Sequence, residues 1–238
     1  VLFRSNIGTL KLNKPEEYVQ KYVNEYYLMD MFYRRALEAY HELVTLDIPI
    51  EAVINEAKRQ LDQEYAKMAN VMNLEWLTCV KEKGEAFRGV TLGRQQNFYR
   101  TEGDGTVKQV VIVSDALRYE VAVELMQQLA KEKHIATLTP YLAMLPTETK
   151  YCKPALLPHQ SLELQVTDML VDGAVLTTTE QRTAHLGKYK EGAVCMRYEE
   201  VMNGDLSTMR EQFKRPLVYI FHDTIDEASH SQSPFEVI

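Results

Sequence analysis

The chain has 238 residues, 45% hydrophobic and 26% charged, an ordinary composition for a globular protein long enough to bury a sizeable core. Its formal net charge of −7 gives no reason to expect general capture of nucleic acid, and no apolar run approaches the roughly 18 residues of a membrane helix. The three cysteines are few and widely spaced, which argues against a disulfide framework or a cysteine zinc site and favours a reducing cytoplasm.

The first hundred residues have the pattern of long helices. Pro15 followed by two glutamates is a typical helix start, because proline suits the first helical position and acids suit the positive end of the helix dipole. Aromatic and apolar residues then recur at steps of three or four up to Tyr40, and Pro49 ends the pattern. A second helix is predicted from about Ile50 to Lys83. Its buried stripe is predicted to contain Ile54, Leu61, Tyr65, Met68, Met72 and Trp76. The regular period favours helix packing over an aromatic platform for nucleic-acid bases.

A polar segment separates this part from the rest of the chain. A short helix is predicted from Arg94 to Arg100, and the run from Thr101 to Gly105 reads as a turn or linker. We therefore predict a helical domain over residues 1–105 and a second domain over residues 106–238.

The second part alternates strands with helices. Val110 to Val113 is a continuous β-branched run, typical of a strand buried on both faces, and Leu217 to Phe221 is another such run. Further strands are predicted near residues 135–138, 162–166, 169–176 and 193–197, and helices near residues 117–133, 179–189 and 206–213. This alternation indicates an α/β fold with a mainly parallel sheet flanked by helices, preceded by an all-helical segment.

Asp115 directly follows the first buried run. Sites in open parallel sheets gather at the carboxyl ends of strands, and a carboxylate there can hold a divalent cation. The alternative is a helix cap, a role that Ser114 or Asp115 could fill, and position alone favours the cap.

A second candidate is the segment Pro146-Thr147-Glu148-Thr149. A threonine at a helix N-terminus beside a metal can become a nucleophile, because the cation eases loss of the hydroxyl proton. Helix capping by threonine is the alternative.

A third candidate follows the strand that ends at Phe221. Asp226 and His230 are four residues apart, so on one helical turn they share a face and could bind a single ion. The alternative is a polar start of a surface helix.

The joint order of these segments resembles the alkaline phosphatase superfamily. That superfamily places an aspartate after a strand, then Pro-Thr-x-Thr with the second threonine as nucleophile, then a strand followed by Asp-x-x-x-His. Three stretches more closely resemble the PglZ family of bacterial phage-exclusion (BREX) systems, namely Ile112 to Ala122, Leu145 to His159 and Tyr219 to Asp226. His230 stands where the PglZ pattern often has an acid.

The resemblance implies an alkaline-phosphatase-like fold with two divalent ions, for which zinc is expected. Asp115 and Thr149 would bind one ion, and Asp226 and His230 the other. Thr149 would be the catalytic nucleophile, forming a phosphothreonine that water hydrolyses. The implied function is a cytoplasmic, metal-dependent phosphatase or phosphodiesterase of a BREX system. Its partners would be other BREX proteins and a phosphoester or nucleotide substrate, with nucleic acid in the full complex.

Two other functions remain open at this point. The first is a catalytically degenerate phosphatase fold that serves as a scaffold in a multiprotein defence complex. The second is a receiver-like or nucleotide-binding domain with Asp115 as phospho-acceptor or Mg²⁺ ligand, which the lack of a glycine-rich loop after Val113 weakens. The superfamily's later Asp-His pair and final histidine have no counterpart before Ile238. We therefore expect a piece of a longer protein, with incomplete metal sites and no turnover of its own.

Overall fold

The computed structural model describes residues 11–44, 51–83, 87, 89–102 and 107–231. The helices are α1 (Pro15–Lys21), α2 (Tyr27–Val44), α3 (Glu51–Lys83), α4 (Phe98–Glu102), α5 (Tyr119–Lys131), α6 (Thr149–Cys152), α7 (Thr179–Tyr189), α8 (Tyr198–Asn203), α9 (Leu206–Gln212) and α10 (Thr224–Ser231). The strands are β1 (Gly93–Arg94), β2 (Gln109–Ser114), β3 (Tyr141–Leu142), β4 (Leu162–Leu164), β5 (Met169–Val171), β6 (Ala174–Val175), β7 (Val194–Arg197) and β8 (Leu217–His222). The predicted α/β class, with parallel sheets, flanking helices and a helical first segment, is confirmed.

The described residues form two compact units. The first contains the residues up to 91 together with 118–140, and the second contains 92–117 and the residues from 141 onward. Compactness does not by itself define an independently folding domain, so the boundary near residue 105 stays a prediction.

The first unit is built from helices joined by buried aromatic and methionine side chains. The predicted start at Pro15 is confirmed, and a π-helical segment, Tyr22–Tyr26, joins α1 to α2. Asp30 accepts hydrogen bonds from the hydroxyls of Tyr22 at 2.7 Å and of Tyr65 at 2.8 Å. Met68 is buried, and the other members of the predicted stripe on α3 are partly buried, so the packing role is confirmed. Pro49 lies outside the described residues.

One prediction about the segment after β2 is confirmed and another is corrected by the structure. The predicted helix is present as α5, in which Glu120 and Val123 are buried and Leu125 is half exposed. The predicted strand at residues 135–138 is wrong, because this stretch is irregular and Ile135 is fully exposed. Residues 135–138 find no strand partner among the described residues, and β-branched residues alone do not make a strand without one.

The central sheet of the second unit has the parallel order β2-β8-β7. Its middle strand, β8, is buried on both faces, as predicted. Tyr219 and Phe221 pack into the cluster that contains Leu186, whereas Val218 and Ile220 pack into a cluster on the other face. The alternating side chains of β8 therefore join two layers of helices and turns.

The prediction that β2 is buried on both faces is wrong. Val110 is 44% exposed and Ile112 is 62% exposed. They pair in register with Val218 and Ile220, and so lie on the face of the sheet where α8 and α9 pack. Those helices contact β7 and β8, and in the described residues β2 is an edge strand, so this part of the sheet face stays open.

A smaller antiparallel sheet, β4-β5-β6, packs into the core of the second unit. Asp172 and Gly173 form the turn between β5 and β6, both with positive φ angles of 50° and 79°. A two-residue turn of this kind requires left-handed backbone, which aspartate and glycine adopt readily. Helix α7 then starts at a capping box formed by Thr178 and Gln181. No helix in the described part of the chain is long and apolar enough to span a membrane.

Candidate functional site

The carboxyl ends of β2 and β8 lie side by side. The two strands are parallel, and their register ends with Ser114 opposite His222. The Asp115 amide donates a hydrogen bond to the carbonyl of His222 at 2.9 Å, and the Ser114 hydroxyl is 2.8 Å from His222 Nδ1. Asp115 and the segment leading to Asp226 therefore leave the sheet at the same edge.

Asp115 sits in a turn immediately after β2. Its Oδ1 accepts a hydrogen bond from the Ala116 amide at 3.0 Å, and Ala116 has a φ of 60°. The N-cap residue of α5 is Arg118, so the alternative of a cap by Ser114 or Asp115 is wrong. Asp115 Oδ2 is buried and has no hydrogen-bond partner in the described part of the chain.

A buried lysine occupies the space between two strand-end carboxylates. Lys153 Nζ lies 2.7 Å from Asp223 Oδ1 and 3.1 Å from Asp115 Oδ2. The contact with Asp115 is within ion-pair distance but is not aligned as a hydrogen bond. Sequence reasoning missed both Lys153 and Asp223. The sequence did contain one signal for Asp223, which follows β8 directly, as Asp115 follows β2.

Thr149 is the first residue of α6, one helical turn before Lys153. The Lys153 amide donates to the carbonyl of Thr149 at 3.0 Å. Glu148 is the N-cap residue, and the Thr149 hydroxyl makes no hydrogen bond within the described residues, so the capping alternative is wrong here as well. The side chain of Thr149 is exposed. The Thr149 hydroxyl is therefore accessible to solvent and makes no hydrogen bond within the described residues.

The segment that carries Thr149 and Lys153 is held in place by the core. Tyr151 is buried and its hydroxyl donates to the carbonyl of Val166 at 2.7 Å. Gln95 Nε2 donates to the carbonyl of Cys152 at 3.1 Å. These contacts fix α6 itself, which gives Thr149 and Lys153 a defined position.

Asp226 and His230 form a separate pair on α10. The distance from His230 Nε2 to Asp226 Oδ2 is 3.7 Å, as expected for residues one turn apart. Asp226 is partly buried, whereas His230 is exposed. Asp226 lies three residues beyond Asp223, so this pair begins close to the strand end that Lys153 contacts.

A cleft opens beside Thr149. It has a volume of about 310 Å³ and is lined by residues that include Thr149, Lys153, Thr177 and Arg182. A second cavity of about 420 Å³ shares the last three of these residues and reaches Asp223. We call the first cavity the Thr149 cleft.

Arg182 is a further cation of this cleft that sequence reasoning missed, in addition to Lys153. Its guanidinium group lies over the ring of Phe221, 4.5 Å from the centroid, and its Nε donates to the carbonyl of Leu176 at 3.2 Å. Burial lowers the pKa of Arg182. Arg182 forms no ion pair with any carboxylate of the described ranges, so its terminal nitrogens are available for an anion. Its place on α7 carried no sequence signal.

The side chains at this edge of the sheet include the types of ligand that divalent cations bind. Asp115 Oδ2 has lone pairs that no hydrogen bond uses, and Asp226 and His230 offer a carboxylate and an imidazole on one face. Among the described residues, however, no three histidine, cysteine or acidic side chains converge as a metal site. The chain therefore presents two partial sets of donors, and the ligand roles of Asp115, Thr149, Asp226 and His230 stay predictions.

Comparison with known proteins identifies the family. The family model for the BREX system PglZ alkaline phosphatase-like domain matches residues 96–236. The chain is 25% identical over 234 residues to the alkaline phosphatase-like protein PglZ of Bacillus cereus (strain H3081.97), covering 94% of this chain and 27% of that protein. It is 35% identical over 156 residues to the alkaline phosphatase-like protein BrxZ of Escherichia coli O9:H4 (strain HS), covering 59% of this chain and 17% of that protein.

Both relatives are therefore several times longer than the region they share with this chain. The family match, in contrast, covers more than half of the chain and includes every candidate site residue. The chain belongs to the PglZ family of BREX systems, through its alkaline phosphatase-like domain.

Proposed function

We propose that this chain supplies the nucleophile and part of the metal ligands of a metal-dependent phosphoric-ester hydrolase in a BREX phage-defence system. The observation that supports this most is the position of Lys153. It binds the carboxylates that follow two parallel strands, and it lies one helical turn from the uncommitted hydroxyl of Thr149. Lys153 thus links the segment that carries the candidate nucleophile to two carboxylates at the strand ends.

In the proposed reaction, the Thr149 hydroxyl attacks phosphorus. A new bond forms between Thr149 Oγ1 and phosphorus, the bond from phosphorus to the leaving-group oxygen breaks, and the alcohol departs with the proton. Water then attacks the phosphothreonine and restores the hydroxyl, releasing the phosphate product. The accessible position of Thr149 at the mouth of a cleft is what such an in-line attack requires.

The residues of this chain would hold two divalent ions, for which we propose zinc. Asp115 and Thr149 would bind one ion, and Asp226 and His230 would bind the other. Each ion would take its further ligands from other parts of a longer protein, similar in length to the relatives. When bound, the ions polarise the phosphoryl oxygens and favour the deprotonated hydroxyl.

Arg182 is suited to binding the phosphoryl group itself. A guanidinium group matches two phosphate oxygens at once, and stacking on Phe221 limits its motion before substrate arrives. Thr177 lines the same cleft and offers a further hydroxyl. We propose a phosphoester or nucleotide as substrate, other BREX proteins as partners, the cytoplasm as location, and nucleic acid only within the assembled complex.

The test uses the full-length protein, with turnover of a chromogenic phosphodiester and bound metal measured together. Thr149→Ala should abolish turnover and leave the metal content nearly intact, because carboxylates and histidines hold the ions. Asp226→Ala should lose metal, since it removes both a charge and a ligand. Thr147→Ala is the matched control. Full loss of activity in Thr147→Ala, with none lost in Thr149→Ala, would show that the wrong threonine was chosen.

A second candidate function is a scaffold with a phosphatase-like fold. The observation that favours it is that no three metal donors converge in the described part of the chain. If the protein is a scaffold, wild type and Thr149→Ala should bind the BREX partners equally well. The full-length wild type should then hydrolyse neither phosphomonoesters nor phosphodiesters at any metal concentration.

A further inference from the structure

Lys153 is a charged side chain that the fold buries beside the candidate catalytic residues. Only 8% of this residue is exposed, although its ammonium group carries a full charge. Burying such a charge is unfavourable unless an opposite charge compensates it. Asp115 and Asp223 provide that compensation, at 3.1 Å and 2.7 Å. The relation is mutual, because the two neighbouring carboxylates would otherwise repel each other.

We propose, building on the function proposed above, that Lys153 is an internal cation of the metal site. It holds Asp115 and Asp223 in place when no metal is bound, and a divalent ion must compete with it for Asp115. Lys153 is therefore a positioning residue that also sets the affinity for metal.

The geometry around Asp115 supports this competition. The oxygen that faces Lys153, Oδ2, is the one without a hydrogen bond, so it is the atom best placed to bind an ion. A divalent ion would approach this oxygen to about 2.0–2.6 Å. Two cations on one carboxylate oxygen repel each other strongly at such distances, so the ion must displace the ammonium group or bind against its charge.

Asp223 can stay paired with the Lys153 ammonium group after a metal ion displaces that group from Asp115. Its Oδ1 forms an aligned hydrogen bond with Lys153 Nζ at 2.7 Å, which is the shorter of the two contacts. Lys153 can therefore release Asp115 without leaving its charge unpaired. In both cases, displaced or retained, the lysine weakens metal binding relative to a neutral residue of the same size.

The experiment is a zinc titration of the chain against a competing chromophoric chelator. Lys153→Met should bind zinc about tenfold or more tightly than wild type, because an opposing charge has been removed from the site. Lys153→Arg keeps the charge and should show no such gain. Lys150→Met is the matched control, because Lys150 is an exposed lysine of α6, three residues before Lys153, and is paired with Glu148 at 3.2 Å. The zinc affinity of Lys150→Met should equal that of wild type.

Thermal unfolding supplies a second readout. With a chelator present, Lys153→Met should unfold at a lower temperature than wild type, because the two carboxylates lose their cation, and zinc should raise its unfolding temperature more than that of wild type. Lys153→Gln takes its place if the methionine variant does not fold. Its amide can still donate a hydrogen bond, and it too should gain zinc affinity.

Zinc affinity that is unchanged or weaker in the neutral variants overturns this inference, as does a complete absence of zinc binding in all variants. The proposed hydrolase function is tested separately, by turnover of the full-length protein. Tighter zinc binding by Lys153→Met in a protein that never turns over would support the internal cation while refuting the hydrolase.

Discussion

The turn at Asp172 offers a sharp test of how the fold positions the cleft. Asp172 Oδ1 accepts hydrogen bonds from the amides of Gln160 and Ser161, each at 2.9 Å, and Oδ2 accepts one from the hydroxyl of Tyr189. One carboxylate thus joins the β5–β6 hairpin to the start of β4 and to the end of α7. We expect Asp172→Ala to loosen all three elements, two of which line the Thr149 cleft or lead into it.

The expected cost follows from these contacts. A hydrogen bond to a charged group contributes about 1.5–3 kcal/mol, but these three share one carboxylate that is partly exposed, so their sum is much reduced. The left-handed backbone of Asp172 adds about 1 kcal/mol against alanine. Asp172→Ala should therefore lower the free energy of unfolding by about 3 kcal/mol. Asp172→Asn keeps an acceptor oxygen and tolerates this backbone, so it should cost about 1 kcal/mol.

The assay is urea unfolding of the chain with a chelator present, followed from neutral to acid pH. Burial alone would raise the pKa of Asp172, but the hydrogen bonds from Tyr189, Ser161 and Gln160 outweigh it and lower the pKa to about 2. Because the folded pKa lies below the unfolded value of about 3.9, the stabilisation is present above about pH 4 and is lost as the pH falls toward 2. The difference between wild type and Asp172→Asn should shrink over that range.

Equal stability of wild type and Asp172→Ala would refute this reasoning, because it would mean that solvent replaces all three hydrogen bonds without cost. A difference between wild type and Asp172→Asn that stays constant down to pH 2 would refute the account of the pKa.

Three further predictions concern the same chain. Thr178→Ala should lower the free energy of unfolding by about 1 kcal/mol, because it removes the capping box of α7, and urea unfolding measures this. Leu186→Ala should cost about 3–4 kcal/mol in the same assay, since Leu186 is fully buried, whereas Leu206→Ala, at 76% exposure, should cost little. The chain alone should hydrolyse no phosphoester and should bind zinc weakly in a chelator competition, because Asp226 and His230 have no third ligand among the described residues; robust turnover that a chelator abolishes would contradict this.

The parts of the fold that could be predicted were those fixed by local pattern. The run from Leu217 to Phe221 predicted a strand buried on both faces, and β8 is such a strand. The alternation of strands and helices predicted a parallel sheet, and this in turn brought Asp115 and Asp226 to one edge. Topology was enough to locate the edge, because all strands of a parallel sheet end on the same side.

The parts that could not be predicted depend on what packs next to what. Val110 and Ile112 are β-branched, as the residues of a fully buried strand often are. They are exposed because α8 and α9 pack against β7 and β8 and leave β2 uncovered. Lys153 could not be linked to Asp115 and Asp223, because these residues are far apart in the sequence and meet only through the tertiary fold. Long-range ion pairs of this kind carry no periodic signal in the sequence.

The proposed hydrolysis requires that Thr149 carries the phosphoryl group during turnover. The most direct measurement is acid quenching of the full-length protein during hydrolysis of a phosphoester, followed by peptide mass spectrometry. We expect one phosphoryl group on the hydroxyl of Thr149, and none in Thr149→Ala. Phosphorylation of Thr147 instead, or continued turnover by Thr149→Ala, would contradict it.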